Sequence, residues 1–299
     1  MPSAAQLLEE LRNSKQPMDD VKVRLKALIY GESGVGKTVE AVHLAQQITS
    51  PDKEILHIDT GEGWVSLQNH PQLKNRVDRI LYKGLQQIKL LVDAIEANVP
   101  GFDNYETIIF DEFSTAPKQF MHVILKANEV DTMTGAPEFK HWGILSRQVE
   151  DTIWALLRLK ESHNLIFLAH ERTKKNKATG IERTHPSFMD SIEGTVKENV
   201  HIVARMTAEV LNKDGAPNYS RTLQVHPTKM VQAKSRVGGL DILVSPNTFN
   251  ERVVDWYNKG GKLVDEKEVI ELESEKVVSK RLADQDDTFT GFEVEEGEV

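Results

Sequence analysis

Gly31-Glu32-Ser33-Gly34-Val35-Gly36-Lys37-Thr38 is the stretch from which the fold can be read. These residues fit G-x-x-x-x-G-K-[S/T] without a mismatch. At average residue frequencies such a match arises by chance in roughly one chain of this length in a hundred. The flanks narrow it further. Val23-Arg24-Leu25-Lys26-Ala27-Leu28-Ile29-Tyr30 alternates and then turns apolar, which predicts a strand entering a sheet. Val39 to Ile48 carries apolar residues at helical spacing. Strand, glycine loop and helix together are the setting of a phosphate-binding loop.

Gly31, Gly34 and Gly36 allow the backbone to curl until its N–H groups face one anion. The first turn of the following helix adds unpaired N–H groups and the positive end of its dipole. Lys37 is placed to reach the β- and γ-phosphates of a nucleotide, and the Thr38 hydroxyl to ligate Mg²⁺. Gly31, Glu32, Ser33, Gly34, Val35, Gly36, Lys37 and Thr38 are therefore the expected nucleotide-binding residues.

The chain has 299 residues, 39% hydrophobic and 28% charged, which suits one large α/β domain with appendages. No apolar run approaches the roughly 20 residues that cross a bilayer. Met1-Pro2-Ser3-Ala4-Ala5 shows no basic region followed by an apolar core, so no secretory signal and no membrane partner are expected, and a cytoplasmic location is. The absence of cysteine excludes disulfides and thiolate metal sites. The net charge of −9 is a local property. Residues 265–299 hold 13 of the 46 acidic and 4 of the 37 basic residues, which leaves 33 of each in residues 1–264. The acidity of the tail does not argue against nucleic-acid binding by the body.

Three segments are expected: residues 1–20, an N-terminal helix and linker; residues 21–262, an α/β core; and residues 263–299, a charged helix followed by an acidic tail without fixed structure. The N-terminal helix spans residues 4–13, with Leu7, Leu8 and Leu11 on one side. Apolar strands are predicted near 24–30, 54–59, 105–110 and 164–169, and a shorter one at 77–82. Helices are predicted at 85–97, 118–129, 142–161 and 248–258. This alternation predicts a mostly parallel sheet covered on both faces. Ile108-Ile109-Phe110-Asp111-Glu112 ends an apolar strand in two carboxylates, the second element of a nucleotide site, with Asp111 in the Mg²⁺ shell. Residues 171–183 hold five basic residues against two acidic ones and no apolar pattern, which predicts a mobile loop at the nucleotide edge. Arg172, Lys174, Lys175, Lys177 and Arg183 suit a phosphate backbone. Residues 200–207 and 221–225 flank Asp214-Gly215 and predict a C-terminal β-hairpin. Ala233-Lys234-Ser235-Arg236 then sets two cations two residues apart.

This order of elements resembles the RecA-like P-loop ATPase core. More narrowly, it is similar to phage nucleotide-binding proteins of the AAA_24 type, which include RecA-core single-strand-annealing proteins. The resemblance covers about residues 22–240 and rests most specifically on Asp59-to-Glu62, His170 and Lys234-x-Arg236. It implies a RecA-like fold with ATP and Mg²⁺ as ligands, and a homo-oligomer, ring or filament, in the host cytoplasm if phage-encoded. The catalytic base is Glu62, just past the second strand as in RecA-like enzymes, or Glu112, directly after Asp111 as in other P-loop ATPases. His170 falls where a residue senses the γ-phosphate and couples it to a DNA-binding loop. Lys234 and Arg236 match a pair that reaches a neighbour's γ-phosphate. The implied function is a DNA-stimulated ATPase that binds single-stranded DNA and promotes annealing or recombination. The alternative is a nucleotide-switched adaptor or loader for a single-strand-binding or replication protein, docking through the acidic tail. A small-molecule kinase is disfavoured, because no arginine-rich lid is present. Residues 284–299, held near the basic loop, would compete with nucleic acid for it.

Overall fold

β1 (Lys26–Gly31) is buried along its whole length and runs between two parallel neighbours. A computed structural model describes residues 3–13, 15, 22–130, 137–177, 179–213 and 216–262. The sequence-predicted charged helix at 265–281, the acidic tail, most of the linker at 14–20 and the Asp214-Gly215 turn lie outside the described residues.

The elements in chain order are α1 (Ala4–Asn13), β1, α2 (Lys37–Ile48), β2 (Glu54–Asp59), β3 (Val77–Leu81), α3 (Leu85–Glu96), β4 (Tyr105–Asp111), α4 (Ala116–Ala127), α5 (Phe139–Leu157), β5 (Asn164–Lys175), β6 (Glu182–Pro186), α6 (Asp190–Asn199), β7 (Ile202–Lys213), β8 (Ala216–Gln224), β9 (Lys234–Ser235), β10 (Leu243–Val244) and α7 (Pro246–Asn258). Short 3₁₀ turns cover Gly63–Asn69, Pro71–Lys74 and Arg158–Glu161.

The ten strands form a mixed, mostly parallel sheet in the order β10-β8-β7-β1-β5-β4-β2-β3, with β6 on β5 and β9 on β7. From β7 to β3 the neighbours are parallel. Their carboxyl ends therefore share one edge, where ligands bind in such sheets. Register aligns that edge: Gly31 lies opposite His170, and Asp59 opposite Asp111.

Both faces are covered, for a reason visible in the strands. Leu28 and Tyr30 face one way and Ala27 and Ile29 the other, as a two-residue period requires. The first face joins Phe110, Phe113 and Phe167 to α3, α4, α5 and α6. Phe110 and Phe113 pack with ring centroids 4.9 Å apart. The second face joins Ile55, Ile109 and Ile166 to α2 and α7. Each such side chain contributes roughly 1.5–3 kcal/mol by leaving water. α7 begins where Ser245 accepts a hydrogen bond from the Thr248 N–H, with Pro246 in its first turn.

One expectation is overturned. Residues 171–175 are not an irregular loop but a strand, paired with 182–186. β5 continues past the sheet edge to Lys175 and pairs antiparallel with β6, Arg172 opposite His185 and Lys174 opposite Arg183. The turn closes through Asn176: its carbonyl accepts from Gly180 N–H at 2.8 Å, and its N–H donates to the Ile181 carbonyl at 2.8 Å. Gly180 takes φ +70°, which glycine adopts without strain. Charged residues on both faces hid this ribbon from a hydrophobic pattern. β7 and β8 likewise pair antiparallel from Arg205–Gln224 to Lys213–Ala216, longer than the sequence runs at 200–207 and 221–225. α6 was not anticipated.

Candidate functional site

The glycine loop leaves β1 at the carboxyl edge and turns into α2. Gly36, at the cap of α2, has φ +106°, and no side chain caps the helix. The first N–H groups of α2 are thus left for a ligand. Gly31 is held by close approach, since an added Cβ would lie 2.2 Å from the Met206 carbonyl oxygen of β7. Lys37 is buried and donates to the Gly31 and Glu32 carbonyls at 3.1 and 2.8 Å. Burial lowers its pKa, opposed by Glu112, Asp111 and Glu171.

At the end of β4, Asp111 Oδ2 accepts from the Thr38 hydroxyl at 2.7 Å and lies 3.1 Å from His57 Nε2. The same oxygen would be 2.4 Å from a Cβ at Gly63, with Thr38 Oγ1 at 3.1 Å. A hydroxyl and a carboxylate oxygen therefore face a space kept clear by glycine. This is a donor set that suits Mg²⁺, an ion commonly held by one or two carboxylates together with ligand phosphates. Thr38 and Asp111 would hold it.

The peptide after Asp111 is cis, and Glu112 follows. The Thr60 hydroxyl accepts from Glu112 N–H at 2.9 Å, fixing the backbone there. Glu112 Oε1 stands 2.5 Å from Nε2 of His170, the first residue of β5 beyond the buried run. Burial pushes the Glu112 carboxyl up to about 7, with Lys37 opposing. Burial, and then Lys37, lower the pKa of His170, while the Gly31 backbone favours the protonated ring. At this separation the Glu112 carboxyl and the His170 ring are close enough to pass a proton directly from one to the other. The backbone N–H of His170 donates to Ser114 Oγ at 2.8 Å.

Glu62 also lines the cleft, but it is exposed. Its loop is braced from behind. Fully buried Asp59 accepts from Arg79 Nε and an Arg79 terminal nitrogen at 2.8 and 2.6 Å, and Asp59 Oδ1 accepts from Gly61 N–H at 3.2 Å. The Arg79 guanidinium lies 4.7 Å from the centroid of the Trp64 ring. The cleft encloses about 500 Å³ and gathers Lys37, Thr38, Glu62, Asp111, Glu112 and His170. Sequence reading missed four contributors: His57, Arg79, the 3₁₀ turn bearing Ser66 with His70 directly after it, and Arg221. Arg221 comes from β8, lines the cleft, and donates from Nε to the Val35 carbonyl at 2.9 Å.

Lys234 and Arg236 lie elsewhere. β9 pairs with the start of β7, Ser235 opposite Ile202, at the end of the sheet away from the glycine loop. Lys234 Nζ donates to the Lys197 and Val200 carbonyls, both at 2.7 Å, and so closes the last turn of α6. Arg236 is exposed. In the basic ribbon, Arg172 pairs with Glu193 at 3.1 Å, whereas Lys175 and Lys177 are exposed.

A parallel sheet with a glycine loop at its carboxyl edge, and a Thr38–Asp111 pair beneath it, define a P-loop nucleotide-binding domain of the mixed α/β type. The chain belongs to the AAA_24 family, an AAA domain, whose family model matches residues 24–237. No curated protein matches the sequence. Among the described residues no helix is long and apolar enough to cross a membrane.

Proposed function

We propose that the protein is an oligomeric ATPase that acts on single-stranded DNA and promotes annealing or recombination. The observation that carries this proposal is the Glu112–His170 contact, because it joins the nucleotide cleft to the root of a basic β-ribbon. The phosphate loop supports nucleotide binding on its own. The ribbon next to it, with Arg172, Lys174, Lys175, Lys177 and Arg183, supports a polyanion as the second ligand.

Lys37 would exchange the Gly31 and Glu32 carbonyls for the β- and γ-phosphate oxygens. Mg²⁺, held by Thr38 and Asp111, would supply charge neutralisation at the transferring phosphoryl group. Glu112 acts as the base in its carboxylate form, with the proton it shares with His170 held on the imidazole. It takes a proton from water as the water oxygen attacks the γ-phosphorus, and the bond to the bridging oxygen breaks to leave ADP and phosphate. A carboxyl brought to about 7 by burial is matched to that task near neutral pH. We assign this role to Glu112 rather than Glu62, because Glu62 is exposed and Glu112 is shielded beside Lys37. His170 takes or returns the shared proton as the γ-phosphate comes and goes, and β5 carries that change into the ribbon. With Lys234 committed to α6, a cation donated to a neighbour's phosphates falls to Arg236.

The test is ATP turnover with and without single-stranded DNA for wild type, Lys37→Ala and Arg236→Ala. We expect stimulation by DNA in wild type, no turnover by Lys37→Ala, and recovery when the two inactive variants are mixed. Absence of both stimulation and DNA binding at low salt would overturn the DNA function. An adaptor would instead lose a protein partner on removal of residues 284–299.

A further inference from the structure

The phosphate cleft accounts for only half of a nucleotide. Its lining carries a single aliphatic side chain, Val39, among glycines and polar groups. A purine needs a flat apolar surface and a few polar groups to orient it. A second cavity of about 400 Å³ opens directly beside the first and shares Gly36, Val39, His70 and Arg221 with it. Its other walls include Met206, Tyr219 and Asn247. Its size lies within the usual range for small-molecule sites, which begins near 300 Å³.

We propose that this second cavity is the nucleoside subsite: the base of ATP stacks on Tyr219 and is read by Asn247, while Arg221 holds the phosphates where the two cavities meet. This rests on the nucleotide function proposed above.

Three features carry it. Tyr219 is 57% exposed, a large aromatic side chain on β8 at the cavity wall. Arg221 follows two residues on, so both project from the same face of the strand. Arg221 packs closely on the loop at Gly36, where an added Cβ would lie 3.0 Å from Arg221 Nε. The guanidinium therefore stands at the junction of the two cavities, with Nε fixed on the Val35 carbonyl. Asn247 lies in the first turn of α7 and lines the same cavity. An amide offers a donor beside an acceptor, the complement of adenine, where an amino group adjoins a ring nitrogen. On the N6–N7 edge guanine presents a carbonyl oxygen at the amino position and loses one of the two bonds.

The experiment is calorimetric binding of ATP, GTP and inorganic tripolyphosphate to the full chain and to Tyr219→Ala, Tyr219→Phe, Asn247→Leu and Lys37→Ala. Wild type is expected to bind ATP at least tenfold more tightly than tripolyphosphate. Tyr219→Ala should lose about tenfold in ATP affinity, in the range of base–aromatic stacking, with tripolyphosphate unchanged. Tyr219→Phe should bind as wild type, and Asn247→Leu should erase the preference for ATP over GTP. Unchanged ATP affinity in Tyr219→Ala, or equal binding of ATP and tripolyphosphate by wild type, would overturn the subsite. Failure of all three ligands to bind, with Lys37→Ala indistinguishable from wild type, would overturn the nucleotide function itself.

Discussion

His170 Nε2 and Glu112 Oε1 stand 2.5 Å apart and tie the end of β4 to the point where its sheet neighbour β5 leaves the buried run. Glu112→Gln keeps the shape and removes the base. ATP turnover should fall by about 10² or more, the scale of general-base catalysis, while ATP affinity stays within a few-fold. Glu62→Gln should cost far less. The reverse order, in single-turnover measurements, would move the base to Glu62.

Gly63 keeps the space beside Asp111 and Thr38 clear. Gly63→Ala should therefore remove the gain in nucleotide affinity that Mg²⁺ gives, with affinity in EDTA little altered. Titration of a fluorescent ATP analogue with and without Mg²⁺ reads both. An intact Mg²⁺ effect would place the ion elsewhere.

Lys234 and Arg236 should separate in their effects. Lys234→Met strips the last turn of α6 of its donor and should lower stability by about 1–3 kcal/mol, the cost of leaving part-buried carbonyls unpaired. Arg236→Ala should leave the thermal midpoint alone and reduce turnover. A Lys234→Met protein of normal midpoint and no turnover would return Lys234 to the neighbour's site.

His201 makes stability depend on pH. Its Nδ1 accepts from Lys26 N–H at 3.3 Å, which requires an unprotonated nitrogen. Burial, then Lys26, Arg236 and Lys234, push its pKa down to about 4. The unfolded chain titrates near 6.5 and binds the extra proton first. The contribution of His201 is thus complete above about 6.5 and is lost as pH falls toward 4, on the order of 3 kcal/mol in all. Denaturant unfolding between pH 7.5 and 4 should show this loss in wild type and less of it in His201→Gln.

Lys175 and Lys177 are the exposed cations of the ribbon. Changing both to Gln should weaken single-stranded DNA binding at low salt. It should also flatten the dependence of log affinity on log salt by about 0.7 per cation removed. An unchanged slope would take the DNA off this ribbon.

What was legible followed from local signals. The phosphate loop, Asp111 and His170 stood out because polar residues end apolar runs there, and a buried strand has no other use for them. Strand and helix positions were legible because each face of the sheet is packed, so burial wrote its period into the residues. The basic ribbon carries no alternating apolar pattern, so its only trace was Asn176 and Gly180 at the turn. His57 and Asp111 are separated by 54 positions, and Arg221 and Val35 by 186. Only strand order brings such pairs together, and no local pattern encodes that order.

β1 is flanked by β5 and β7, the two strands that run past the sheet edge into antiparallel ribbons. The nucleotide loop is thus the hub of two levers set on opposite sides of one axle. β7 runs eight residues past Arg205, about 26 Å at 3.3 Å per residue, and β5 five residues past His170, about 17 Å. A tilt of about 5° at the root would sweep the tip of the longer arm through roughly 2 Å and that of the shorter through roughly 1.4 Å.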